Sequence, residues 1–185
     1  MKHFLEYQNG AGMKKILHAK HWQLFILIFV CGAWVSPEPW QTMVNGIAFA
    51  TLFWWMYAIA VYGQQKIIAY GLKPMNLNLF KINFFFIVIA VIAGFLFPAL
   101  LAEESSETMS LSDIPFIAFG LYCMFAFLQV ILFTCKTIAK LTEQREVTFG
   151  DYLVNFILFG FFFVWLWILQ PKLNKIFSEQ EWVVK

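Results

Sequence analysis

Hydrophobic positions gather into five runs along the chain: Trp22–Val35, Met43–Gly63, Ile82–Leu101, Pro115–Cys135 and Tyr152–Leu169. None shows the two-residue alternation of a barrel strand. A helix rises about 1.5 Å per residue, so roughly 20 apolar residues cross the ~30 Å hydrocarbon core of a bilayer. The second, third and fourth runs meet that length, and the fifth is just long enough. The first is short and breaks at Ser36-Pro37-Glu38-Pro39. It reads either as a short span with Lys20 and His21 as snorkelling flanks, or as a re-entrant or interfacial piece. The expected fold is an all-α polytopic membrane helix bundle with four to five transmembrane segments and no soluble domain. Residues 1–21 form a basic interfacial arm, 22–170 the bundle and 171–185 a short charged tail.

Local punctuation agrees with helices. Gly71 followed by Pro74 is a helix stop, which extends the second helix past the membrane to about Tyr70. Thr148 with Asp151 three residues on resembles a capping box opening the fifth helix, and Ser112-Asp113 precedes the fourth. The stretch from Lys136 to Asp151 is expected to carry the fourth helix out of the membrane, with Lys140 and Glu143 paired on one face. Gly160 permits a bend in the fifth run, but Phe161-Phe162-Phe163 suits a straight helix, and a span is favoured over a hairpin. A short basic start before an apolar run also suits a signal peptide. No small-x-small cleavage pattern follows, so the first run is kept in the mature protein.

Charge orients the threading. Lys2, Lys14, Lys15 and Lys20 precede the first run, Lys66, Lys73 and Lys81 follow the second, and Lys136, Lys140 and Arg145 follow the fourth. The other internal loops carry Glu38, and Glu103, Glu104, Glu107 and Asp113, without Lys or Arg. This alternation places the N-terminus in the cytoplasm of a bacterial inner membrane. Only the fifth run departs from it, because a full span would put Lys172, Lys175 and Lys185 outside.

Composition reinforces the membrane reading. Hydrophobic residues make up 61% of the chain and charged residues 13%, against about 25% charged in soluble domains. The net charge of +2 does not point to nucleic acid. Cys31, Cys123 and Cys135 lie in or beside apolar runs without CxxC spacing and read as small hydrophobes.

Two stretches carry a resemblance. One is Lys14-Lys15-Ile16-Leu17 leading to Lys20-His21-Trp22-Gln23-Leu24-Phe25. The other runs from Lys136-Thr137 through Glu143–Phe149 to Trp167-Ile168-Leu169-Gln170-Pro171-Lys172-Leu173-Asn174-Lys175. Together they resemble a family of small integral membrane proteins of Bacteroidota that open near a KHWQLF element and close with a QPK-hydrophobic-NK element. Relative to that pattern, residues 1–12 are an added arm and Met13 is where a shorter relative would begin. Phe163-Val164 stands where the family usually has proline, which speaks against a kink. The resemblance implies class and compartment, and brings no activity.

The chemistry the residues allow is narrow. All three histidines precede the first run, every serine lies in a loop or tail, and there is no HExxH helix or Gly-rich phosphate loop. No catalytic, cofactor or metal residues are assigned, and an enzyme is not expected. No Asp, Glu, Lys, Arg or His falls within a predicted span, which disfavours a coupled transporter.

The informative intramembrane residues are neutral: Asn83, Gln129, Thr134 and Asn155, all expected in the cytoplasmic third of the bilayer. They serve either as hydrogen-bonding glue between helices or as the lining of an aqueous vestibule. Gly46/Ala50 and Ala90/Gly94 are small-xxx-small pairs suited to close helix packing, within a chain or between copies. Lys66, Lys73, Lys136, Lys140 and Arg145 form a basic cytoplasmic surface that suits anionic lipid or another cytoplasmic ligand. The expected function is a homo-oligomeric ion channel or pore with a cytoplasmic-side polar vestibule. The alternative is a non-enzymatic accessory or scaffold subunit of a larger membrane complex. The expected partners are the lipid bilayer and further copies of the chain.

Overall fold

The structure, a computed structural model, describes residues 16–30, 40–96 and 114–178. Every regular element among them is helical. α1 spans His21–Phe25 and continues as a π-helical turn, Ile26–Val30. α2 is Trp40–Ala69, α3 Leu77–Leu96 and α4 Ile114–Glu143. α5 is Phe149–Gly160 and α6 is Phe162–Ser178. Three helices are long and apolar enough to cross a membrane, with their candidate spans at Val44–Ala69, Leu77–Gly94 and Ile114–Glu143. The chain is an all-helical membrane bundle. The breaker Ser36–Pro39, the acidic loop with Glu103, Glu104, Glu107 and Asp113, the Ser112-Asp113 cap, and the N-terminal arm before Ile16 lie outside the described residues.

The chain divides into two compact units, Met1–Met75 with Thr134–Lys185, and Asn76–Phe133. The single bundle expected over 22–170 is therefore two units, one of them discontinuous in sequence. In the continuous unit, α3 buries Phe80, Asn83, Phe84 and Ile87, the i, i+3, i+4, i+7 face of one helix. The α4 side of the unit buries Ala126, Val130 and Phe133, and the Phe80 and Phe133 rings lie 4.7 Å apart. The opposite face of α3 exposes Ile82, Phe85, Ile89 and Ile92, spaced three and four apart, as a lipid-facing helix does.

The discontinuous unit is built on the C-terminal half of α2, where Trp55–Gln64 is buried without interruption. Thr137, Ile138, Leu141 and Lys140 of α4 are buried in the same unit. Gly63 marks the closest approach of the two helices. A Cβ there would overlap Thr137 Cγ2 and sit 3.3 Å from Leu141 Cδ1. The π-helical turn packs on α2, and α1 packs on α6. Leu17 and Leu24 are buried, as are Leu166, Leu169 and Leu173, the inner stripe of α6.

Several local expectations meet the structure directly. α2 ends as the Gly71 signal predicts. Gly71 takes φ 73°, its N–H bonds the Ile68 carbonyl at 2.9 Å, and the Leu72 N–H bonds the Ile67 carbonyl at 3.0 Å. These are the paired bonds of a Schellman motif. At the start of α5, Asp151 Oδ2 accepts the Thr148 N–H at 2.7 Å and the Thr148 hydroxyl at 2.9 Å.

Three expectations are corrected. α4 stops at Glu143 and does not continue toward Asp151, because Gln144 turns the chain with φ 50°. That turn brings Glu146 back over Lys140 at 2.7 Å, while Glu143 lies 3.8 Å from Arg145. The expected Lys140–Glu143 pair is thus replaced by Lys140–Glu146. The fifth run is broken: α5 ends at Gly160, Phe161 leaves helical geometry at φ −102°, ψ 56°, and α6 begins at Phe162. Gly160 weakens a continuous helix by roughly 0.5–1 kcal/mol relative to alanine, and the run resumes as helix at Phe162. α6 itself continues through Pro171 to Ser178.

Candidate functional site

Three polar clusters are set into this apolar frame. The first lies in the continuous unit. Asn83 is fully buried on α3; its Nδ2 donates to Gln129 Oε1 at 3.2 Å, and its Oδ1 accepts the Tyr122 hydroxyl at 2.9 Å. Tyr122 and Gln129 are two turns apart on α4 and so share a face. The Phe86 ring meets Tyr122 edge-on at 4.6 Å and flanks the polar contact. Both oxygen and nitrogen of the Asn83 amide are engaged by the same helix. An amide in hydrocarbon needs such partners, since an unpaired polar group there costs several kcal/mol.

The second cluster joins the loop after α2 to the loop after α4. Gln64 is buried; its Oε1 accepts the Met75 N–H at 2.7 Å and its Nε2 donates to Thr137 Oγ1 at 3.4 Å. Lys140, also buried, donates to the Lys73 carbonyl at 2.9 Å and pairs with Glu146. Glu146 Oε1 in turn accepts the Lys73 N–H at 3.0 Å. The Lys140 ammonium, then the Lys73 N–H, hold the Glu146 carboxyl below its ordinary range. Arg145 grips Asp151 with both terminal nitrogens, at 2.9 and 3.2 Å. That guanidinium first, and the Thr148 N–H and hydroxyl next, lower the Asp151 carboxyl to about 2.

The third cluster was not legible as a site in the sequence. Gln170 is fully buried on α6. Its Oε1 accepts the Trp55 indole N–H at 2.9 Å. Its Nε2 lies 3.2 Å from the Leu17 carbonyl, 2.9 Å from the Ala19 carbonyl and 3.0 Å from Asn174 Oδ1. Asn174 Nδ2 also donates to the Ala19 carbonyl at 3.3 Å. The side chain thus ties α2, α6 and the segment before α1 together. The KHWQLF and QPK-hydrophobic-NK elements, at opposite ends of the sequence, meet here. Adjacent Pro171 marks the position by composition, but only the fold supplies the partners.

Of the four neutral residues singled out by sequence, Asn83 and Gln129 are brought together. Thr134 is buried on the part of α4 that belongs to the discontinuous unit. Asn155 is half-buried on α5. Of the small-residue pairs, a Cβ at Gly46 would meet no atom within 4 Å and Ala50 is exposed, so that pair is not filled by any of the described residues. Ala90 and Gly94 are half-buried. The glycine at a close helix approach is Gly63, whose position at the end of an apolar run gave no sign of it.

The basic group is less of a surface than its residue types suggest. Lys66 and Lys140 are buried, Lys136 is half-buried with its ammonium 5.9 Å from the Tyr152 ring centre, and Lys73 and Arg145 are exposed. Among the described residues no three His, Cys, Asp or Glu side chains gather as metal ligands. Comparison with protein-family models, with curated proteins and with solved structures finds no match, so the reading of this chain rests on its own residues.

Proposed function

We propose that this chain is a non-enzymatic accessory or scaffold component of a bacterial inner membrane, with its N-terminal segment cytoplasmic, related to the small Bacteroidota membrane proteins its terminal elements resemble. The observation that carries this reading is the closure of Asn83 on Gln129 and Tyr122. A pore entrance needs polar groups turned to water, and the amides best placed to supply them are engaged with each other between α3 and α4. Paired in this way, the contact holds α3 to α4 and draws the Asn83 amide away from water. The exposed apolar stripe on α3 suits lipid or a neighbouring membrane helix.

A homo-oligomeric channel is the second reading. The unfilled Gly46/Ala50 pair favours it, because small residues open to the outside of the chain let a second copy approach closely. Current recordings from purified protein in planar bilayers, with its mass measured in detergent, separate the two. The accessory reading expects silent bilayers over a range of voltages. Discrete current steps that change when Gln129 becomes Leu or Glu would overturn it in favour of the channel.

A further inference from the structure

The basic residues of this chain fall into two groups with different surroundings. In the loop cluster they are largely answered from within: Lys140 by Glu146, and Arg145 by Asp151 and Glu143. At the joint between the segment before α1 and α6 the balance differs. Residues 16–30 and 161–178 contain Lys20, Lys172 and Lys175, with His18 and His21, and no Asp or Glu. Lys20, Lys172 and Lys175 are exposed, and among the described residues no carboxylate pairs with Lys20 or Lys172.

The joint also has the layout of a membrane interface. One face of α6 reads Val164, Ile168, Lys172 and Lys175, at helical spacings of four, four and three. It passes from exposed apolar to exposed cationic within about one turn. The α1 segment makes the same passage in the opposite direction, from Lys20 to Trp22 and then to exposed Ile26 and Leu27. Trp22 and Trp167 are each 47% exposed beside these crossings, as tryptophans at headgroup level are. The bonds from Gln170 and Asn174 to the Leu17 and Ala19 carbonyls set the two crossings at one depth.

From this we propose that the region around the joint recruits anionic phospholipid, with Lys20 before α1 and Lys172 on the outer face of α6 each meeting a headgroup phosphate, and Trp22 and Trp167 against the upper acyl chains. Both described ends of the chain then meet the same leaflet. Within the loop group read from sequence as a lipid-binding surface, Lys140 and Arg145 are the lesser contributors because carboxylates of the chain already answer their charge.

Full-length protein in nanodiscs of phosphatidylcholine doped with phosphatidylglycerol tests this, with retained anionic lipid counted by native mass spectrometry. Each lysine near an anionic surface contributes enough that Lys20→Gln with Lys172→Gln is expected to weaken phosphatidylglycerol retention about 25-fold, and Arg145→Gln, whose charge Asp151 and Glu143 already answer, by about twofold or less. Arginine at both joint positions should restore retention, and unchanged thermal unfolding of each variant shows that the fold is intact. A loss for Arg145→Gln as large as that for Lys20→Gln or Lys172→Gln alone would overturn the assignment. Displacement of the lipid by millimolar inorganic phosphate would overturn it too, by making the site one for a soluble anion.

Discussion

Replacing Gln170 by Leu tests the joint that closes the discontinuous unit. Leucine nearly matches glutamine in volume, so the perturbation is chiefly the loss of hydrogen bonds. The amide accepts one bond from Trp55, and its two N–H groups can satisfy two of the three acceptors lying 2.9–3.2 Å away. Three bonds are therefore lost, each worth roughly 0.6–2 kcal/mol in a membrane protein, for a total of about 2–6 kcal/mol. The Ala19 carbonyl keeps its bond from Asn174, which places the expected value in the lower half of that range. Unfolding in mixed micelles, followed by tryptophan fluorescence, measures the loss. Trp55→Phe removes only the first of the three bonds, so the double variant should be less destabilised than the sum of the singles. A loss below about 0.5 kcal/mol for Gln170→Leu, or strict additivity with Trp55→Phe, would refute the role assigned to this side chain.

Gly63→Ala should destabilise the protein by about 1–3 kcal/mol, because its methyl group meets Thr137 Cγ2 and Leu141 Cδ1. Thr137→Ser removes the obstructing methyl and keeps the hydroxyl that Gln64 bonds, so it should recover much of that loss in thermal unfolding; no recovery would refute the steric account. The Asp151 carboxyl is held down to about 2 in the folded chain, below its ordinary value of 3.8. The stability it contributes is therefore complete above the unfolded value and fades as pH falls from near 4 toward 2. A side-chain carboxyl resonance for Asp151 that titrates near 4 would contradict the Arg145 grip, and Arg145→Gln should raise it only part of the way, because Thr148 still donates to the carboxylate.

What the sequence made legible was local or chemically singular. Gly71 and Thr148–Asp151 act through neighbours within a few residues, so their turns are written in short stretches of chain. Asn83 and Gln129 stood out, with Thr134 and Asn155, because polar side chains within apolar runs must find partners; which of the four would meet was not written in the sequence. Illegible features depended on distance. The break at Phe161 opposes a phenylalanine run that suits helix on either side. Gln170 sits 115 residues from Trp55 and 153 from Leu17, and nothing in its own neighbourhood names either partner. Lys140 met Glu146 and not Glu143 because of one left-handed residue, Gln144, whose type alone does not announce a turn.

The discontinuity of the first unit bears on how the chain is made. Asn76–Phe133 is contiguous, so every contact inside it is available once that stretch has left the ribosome. Leu17 and Ala19 emerge early, but Gln170 follows Leu17 by 153 residues. At elongation rates of roughly 5–20 residues per second, the segment before α1 waits about 8–30 s for the side chain that satisfies its carbonyls. During that interval it must stay in water or at the lipid surface. Docking of the N-terminal segment is then among the last events of biogenesis, and a chain truncated before α6 would release it unclosed.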